Sequence, residues 1–263
     1  MTADNGADIA KGAGSVAFLP IPEFRFPTVH LPQHSRDVSV LPGPRHALTA
    51  VLARVPRRSA RQLIESAAAI ALMLVFAPLL IVTALAIKLT SRGPVLFRQE
   101  RVGLRRQPFT IFKFRTMYVD NDDSDHRRLM REQLTAEEPP DGGEAGIYKI
   151  ANDPRVTPIG RFLRQFSIDE LPQLLNVVRG EMSLVGPRPY VPWEADLFPP
   201  TVERRFGVRP GMTGLWQVSG RSSVDYRTAL EIDVHYAIHK SLWLDLRILA
   251  RTAVVIFDRS LTR

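Results

Sequence analysis

The chain has 263 residues, with 35 Lys and Arg against 27 Asp and Glu, a formal net charge of +8, and no cysteine. That length holds one or two domains with a sizeable core, and a cysteine-free chain excludes disulfide frameworks, thiolate zinc sites and cysteine nucleophiles. Mean hydropathy near zero excludes a multi-span transporter but leaves room for a single membrane element; the basic excess points to nucleic acid, a lipid surface or a phosphorylated substrate.

Residues 1–56 contain seven prolines and no apolar periodicity, and are expected to be a disordered cytosolic tail. The acidic start and the short VAFL run (16–19) do not make a signal peptide. Next comes Ser66 to Ile87, 22 residues without a charge. As a straight helix it would measure ~33 Å, about the thickness of a hydrocarbon core. A single membrane-spanning anchor is one reading. Pro78, in the middle, removes a backbone hydrogen bond and clashes with the carbonyl four residues back. Both flanks are basic: Arg54, Arg57, Arg58 and Arg61 before, Lys88, Arg92, Arg98 and Arg101 after. The positive-inside rule gives a spanning helix one basic end. A helix that enters, breaks at Pro78 and leaves on the same side is the second reading, and both remain open at this point.

Val95–Phe97 and Phe109–Phe112 are expected to be short strands joined by a turn at Gly103 to Arg106. Residues 120–135 look like a charged helix and 136–147 like a Pro/Gly loop. Segment 120–145 holds nine carboxylates against three arginines, a net −6, so the remainder of the chain carries +14. Leu171, Leu174, Leu175 and Val178 have helical spacing. Residues 226–257 are apolar but interrupted by charges, which forbids spanning and permits amphipathic helices on a core or a membrane surface.

Ser167 to Gln173 (SIDELPQ) carries the chemistry. A Ser167/Glu170 capping box is the plain reading, but with Ser167 as N-cap, Pro172 falls beyond the first turn, where it costs about 3 kcal/mol. A helix starting near Asp169 or Glu170 is therefore expected, with both carboxylates at its N-terminus. Such a pair can hold Mg²⁺, which prefers carboxylates plus phosphate oxygens. Arginine forks bind phosphate bidentately, and the turns GPRP (186–189), RPGMTG (209–214) and SGR (219–221) each present one. A surface charge network and ordinary tight turns are the plain alternatives. His235 and His239 have metal-compatible spacing but lack the glutamate of a zincin.

Four segments carry a resemblance: LTSRGPVLFRQERVG (89–103), FTIFKFRTM (109–117), NDPRVTPIGRFLRQFSIDELPQLLNVVRGEMSLVGPRP (152–189) and VRPGMTGLWQVSGR (208–221). With them, the run from about Arg61 to Thr252 resembles the bacterial sugar transferases, the monotopic polyprenyl-phosphate phosphoglycosyl transferases. The resemblance implies an α+β, mainly helical fold with a Pro-broken re-entrant membrane helix, a small β-hairpin and amphipathic interfacial helices. It implies transfer of a sugar 1-phosphate from a UDP-sugar to undecaprenyl (polyprenyl) phosphate, releasing UMP, as the opening step of exopolysaccharide, capsule or O-antigen synthesis. Asp169 is implied as nucleophile of a covalent phosphosugar intermediate, and Glu170 as its partner, ligating Mg²⁺ or assisting protonation; Asp169 and Glu170 together form the metal site. Lys113, Arg115, Arg164, Arg188, Arg209 and Arg221 match the family's basic positions and are implied as phosphate-binding. The expected organisation is a tail (1–56), a re-entrant membrane helix (57–88) and a catalytic domain (89–263) on the cytoplasmic face of a bacterial inner membrane. Nucleic acid is not an expected partner, and self-association is left open. Two departures stand out: the entry motif reads Arg61-Gln62-x-x-Glu65, and Ala77 replaces the serine often found before the helix-breaking proline. A membrane-anchored basic binding or scaffold protein without catalysis is the competing class.

Overall fold

In the computed structural model, residues 58–119, 124–135, 153–219 and 225–257 are described. The tail 1–56, the acidic loop 136–147 and Arg221 lie outside them.

Helix α1 (Ala60–Val75) starts at a capping box one residue before it: Ser59 Oγ accepts from the Gln62 N–H, and Gln62 Oε1 accepts from the Ser59 N–H at 2.7 Å. Arg61 pairs with Glu65 one turn on, and reaches Asp245 as well. Helix α2 (Ala77–Thr90) follows at a 63° bend. The bend centres on Phe76 (φ −88°, ψ 3°), two residues before the expected position. Pro78 is the cause: it sits in the first turn of α2, where its missing N–H has no partner to lose, and the preceding helix has to stop short of it.

Among the described residues no single helix is long and apolar enough to cross a membrane, but the bent pair passes that test together. One face of α1, with Gln62, Ser66 and Ala69, is buried and packs on α5 (Leu174–Arg179). The other faces of α1 and α2 expose Ile64, Leu74, Val75, Ile81, Val82 and Leu89, the last at 84 %. Contiguous apolar exposure on that scale marks a surface that meets a partner, whether protein or membrane.

Strands β1 (Leu96–Val102) and β2 (Pro108–Phe114) pair antiparallel from Leu96↔Phe114 to Val102↔Pro108. The hairpin is the expected one, with longer strands. Its turn puts Arg105 and Arg106 at φ 53° and 58°. The fully buried Asn176 closes the outer edge of β2: its Nδ2 donates to the Thr110 carbonyl and Glu181 Oε2, both at 2.7 Å, and its Oδ1 accepts from the Phe112 N–H. A second sheet, not anticipated, pairs β3 (Ser183–Val185) and β4 (Gly211–Thr213) in parallel.

The acidic segment contributes α3 (Ser124–Thr135), matching the charged helix expected there. Beyond it lie α4 (Pro158–Gln165), α6 (Pro192–Ala195), α7 (Leu215–Ser219), α8 (Tyr226–His239) and α9 (Leu242–Phe257). Helix α8 is largely core, burying Tyr226, Leu230, Ile232 and Tyr236. Helix α9 buries Ile248 and Val255 but exposes Leu242, Trp243, Leu246 and Val254.

At the centre of the aromatic cluster Tyr190, Phe198, Phe206 and Tyr226 stands a buried ion pair. Arg205 Nη2 donates to Asp233 Oδ2 at 2.7 Å and to the Arg188 carbonyl at 2.6 Å. The guanidinium lies over the Tyr190 ring at 4.6 Å and the Phe206 ring at 5.0 Å. Removing one partner of a buried pair strands the other charge. Asp233→Ala is therefore expected to lower unfolding free energy by about 3–5 kcal/mol in urea titrations in detergent. Glu203→Ala, which removes the exposed partner of Arg106, is expected to cost less than about 1 kcal/mol.

Candidate active site

Helix α4 and the end of β2 make the first wall. Thr157 caps α4 by accepting from the Gly160 N–H at 2.9 Å. A Cβ at Gly160 would lie 2.1 Å from the Thr116 carbonyl oxygen, so only glycine lets α4 approach β2 this closely. That approach brings Arg164 Nε onto Thr116 Oγ1 at 2.9 Å.

The chain then turns at Ser167 in the left-handed region (φ 54°, ψ 23°) and enters a 3₁₀ helix, Ile168–Gln173. Ser167 occupies the N-cap, but its side chain caps nothing, so the S-x-x-E box is not made. The start falls at Ile168, one residue earlier than expected. Pro172 is tolerated because the segment is not α-helical: the α geometry begins only at Leu174, past the proline. Asp169 and Glu170 thus occupy the first turn of a short, tight helix.

Both face a cavity of about 2160 Å³ whose wall also includes Lys113, Arg115, Arg164 and Arg188. Lys113 Nζ donates to Glu170 Oε1 at 2.7 Å. Burial pushes the Asp169 carboxyl up to about 6; the neighbouring Glu170 charge adds to this, and Lys113 and Arg164 pull it back. Burial works against the Arg188 guanidinium, but facing Glu170 it stays above the ordinary arginine value.

The sequence-derived basic candidates divide. Lys113, Arg115, Arg164 and Arg188 share the cavity with the two carboxylates. Arg115 is buried and its Nη2 is engaged by Ser91, donating to the carbonyl at 2.9 Å and to Oγ at 2.7 Å, which ties the end of α2 to β2. Arg209 stands apart: its Nε donates to the Gly180 carbonyl at 2.8 Å, close to Glu65 and Arg58.

Two cavity residues escaped the sequence reading. By sequence Arg101 is only a charge flanking the membrane helix; burial, then the neighbouring Arg188, lowers its pKa to about 10. Glu194, 7 % exposed in α6, is pushed up by burial and drawn back by Arg101 and Arg188. Strand alternation contained a signal for Arg101: it shares a face with Phe97, which pairs with Lys113. Nothing in the sequence around Glu194 marks it.

Among the described residues no group of three or more His, Cys, Asp or Glu gathers. The stacked rings of His235 and His239, 4.1 Å apart, therefore lack further protein ligands of these types. Two adjacent carboxylates fit a hard cation that draws its other ligands from phosphate and water.

The model of the family described as bacterial sugar transferase matches residues 56–259. The chain is 37 % identical over 244 residues to an undecaprenyl-phosphate galactose phosphotransferase of Salmonella typhimurium, covering 91 % of this chain and 49 % of that protein. It therefore spans about half the length of that relative. It is 42 % identical to the exopolysaccharide production protein ExoY of Rhizobium meliloti, over 71 % of this chain and 80 % of the relative. A UDP-glucose:undecaprenyl-phosphate glucose-1-phosphate transferase of Caulobacter vibrioides is 43 % identical over 76 % of this chain and 71 % of its own. With a match across most of its length and a carboxylate pair set in a cation-lined cavity, the chain belongs to the bacterial sugar transferase family.

Proposed function

We propose that this chain transfers a sugar 1-phosphate from a UDP-sugar to undecaprenyl (polyprenyl) phosphate, opening the synthesis of an exopolysaccharide, capsule or O-antigen. The observation that carries the reading is the Asp169–Glu170 pair at the start of a 3₁₀ helix, facing a cavity lined by Lys113, Arg164 and Arg188. In the first step a carboxylate oxygen of Asp169 attacks the β-phosphorus of the donor. The bond from that phosphorus to the oxygen bridging to the α-phosphate breaks, and UMP leaves with the electron pair. In the second step a phosphate oxygen of the lipid attacks the same phosphorus, the Asp169 ester bond breaks, and the carboxylate is regenerated. Splitting one transfer into two is the general use of a nucleophilic side chain. Lys113 holds Glu170 in place, and the guanidinium groups offset charge on the phosphoryl oxygens. Asp169 and Glu170 are the residues that would hold Mg²⁺, which supplies charge neutralisation at the phosphates.

The bent α1–α2 pair is proposed to dip into the cytoplasmic leaflet of a bacterial inner membrane and return to the same side. The 63° bend and the exposed apolar faces support this, as do the basic residues at both ends. The lipid acceptor then reaches the cavity through the wall formed by Leu72 and Phe76 at the break.

Asp169→Asn is expected to reduce UMP release from UDP-glucose and UDP-galactose by about 10³-fold or more, with undecaprenyl phosphate and Mg²⁺ present. Turnover that survives in this variant sinks the mechanism, and a wild type that releases no UMP restores the non-catalytic reading. Because the chain has no cysteine, Ala50→Cys and Arg105→Cys each introduce a single label site. Both are expected to react with a membrane-impermeant maleimide from the cytoplasmic side only; labelling from opposite sides would establish a spanning helix instead. In metal-free protein the Asp169 carboxyl is expected to titrate near 6. Lys113→Gln removes an attracting cation and should raise that value; Glu170→Gln removes a like charge and should lower it, both read by ¹³C NMR of labelled aspartate.

A further inference from the structure

The far wall of the cavity carries two guanidinium groups that repel each other. In the hairpin register Arg101 stands opposite Phe109, and Phe97 opposite Lys113. Arg101 thus lies four residues past Lys113, about 13 Å at the usual strand rise, on the side away from α2. Its Nη1 donates to the Pro189 carbonyl at 3.3 Å and its Nη2 to Gln99 Oε1 at 2.5 Å, while its Nε has no partner among the described residues. Arg188 precedes the residue whose carbonyl Arg101 holds, and lines the same cavity. Two half-buried cations on one wall that lower each other's stability favour an anion beside them. Glu194 lines the same wall: it is 7 % exposed, in a helix packed against β1, hydrogen-bonds Tyr226, and its carboxylate is favoured by the charges of Arg101 and Arg188. One carboxylate offsets one of the two cations, which leaves the wall with a positive charge for a ligand to meet.

We propose that Arg101 and Arg188 form a two-guanidinium clamp for the nucleotide-side phosphate of the donor, and that Glu194 is the positioning counter-ion that keeps them together between turnovers. The proposal rests on the reading that a UDP-sugar is the donor. It assigns the two ends of the cavity: the lipid phosphate arrives from the α1–α2 end, and the nucleotide phosphate occupies the end away from it. Two planar forks side by side match the oxygens of one phosphate. As the bond to the β-phosphorus breaks, the clamp meets the charge that develops on the departing UMP.

The test uses the full chain in lipid nanodiscs, with UMP and uridine binding measured by calorimetry and thermal shifts. Arg101→Gln is expected to weaken UMP binding at least tenfold and to leave uridine binding unchanged, because uridine has no phosphate. Glu194→Gln is expected to melt at lower temperature without ligand and to gain more stability from UMP than the wild type does, since the phosphate takes the place of the missing carboxylate. The double variant Arg101→Gln/Glu194→Gln should recover the melting temperature lost in Glu194→Gln, which a merely structural glutamate would not allow. Equal UMP affinity in wild type and Arg101→Gln overturns the clamp alone. An equal UMP-induced shift in wild type and Glu194→Gln overturns the counter-ion role. Wild-type protein that binds no UMP overturns the donor reading and the clamp together.

Discussion

The Arg205–Asp233 pair holds the site's scaffold to its core. Neither partner has more than a trace of solvent exposure, so the pair was desolvated in full on folding and is retained only because each charge is met. Burial pushes the Asp233 carboxyl up to about 6, and Arg205 draws it back. The same Arg205 nitrogen that meets Asp233 also donates to the carbonyl of Arg188. One guanidinium therefore ties α8 to the loop that carries a cavity arginine. The rings of Tyr190, Phe198 and Phe206 surround it at 4.6–5.4 Å and keep water from competing. A shift of that pair is a shift of Arg188.

Asn176 plays the matching part on the other wall. Its carboxamide binds the Thr110 carbonyl and the Phe112 N–H, so α5 and β2 hold a fixed separation. The 3₁₀ turn before α5 then has little choice about where it puts Asp169 and Glu170, and Lys113 of β2 meets Glu170 at 2.7 Å. The proline that forbids an α-helix there is what compresses the turn. Backbone chemistry and one amide thus bring a carboxylate pair and a lysine from distant parts of the sequence into contact.

Much of this was legible beforehand wherever a local rule was decisive. Two short apolar runs flanking a Gly/Arg turn point to the hairpin, and an uncharged run with a central proline points to a broken helix. Expectation and structure part by two residues at the break, since a proline is accepted in the first turn of a helix but has no N–H for the carbonyl one turn back, which its ring also crowds. The capping box at Ser167 failed for a related reason: φ of 54° turns the serine away from the N–H groups it would need to meet. The parallel β3–β4 pair was not legible, because two three-residue strands with 25 residues between them leave no periodic trace. Glu194 was hidden for a similar reason, its importance arising only from what packs around it. Arg209, an arginine between rigid turn residues, stands outside the cavity wall and donates from Nε to the Gly180 carbonyl.

Engagement of arginines by the fold bears on the basic excess itself. A surplus of positive charge in a sequence says nothing about how much of it is available to a ligand. Here Arg205 is consumed by the core, Arg155 by Asp153, Arg106 by Glu203, and Arg61 by Glu65 and Asp245. Arg115 is tied to the end of α2. The cavity wall still carries more basic side chains than carboxylates: Arg101, Lys113, Arg161, Arg164 and Arg188 are among them, against Asp153, Asp169, Glu170 and Glu194. A cavity of this kind meets few phosphates of an extended polyanion such as nucleic acid, whose affinity grows with the number of phosphates met. It suits a ligand with one or two phosphates that can displace a specific internal counter-ion. The selectivity therefore comes from the pairing of charges inside the cavity, and the net charge of the chain is a poor guide to it.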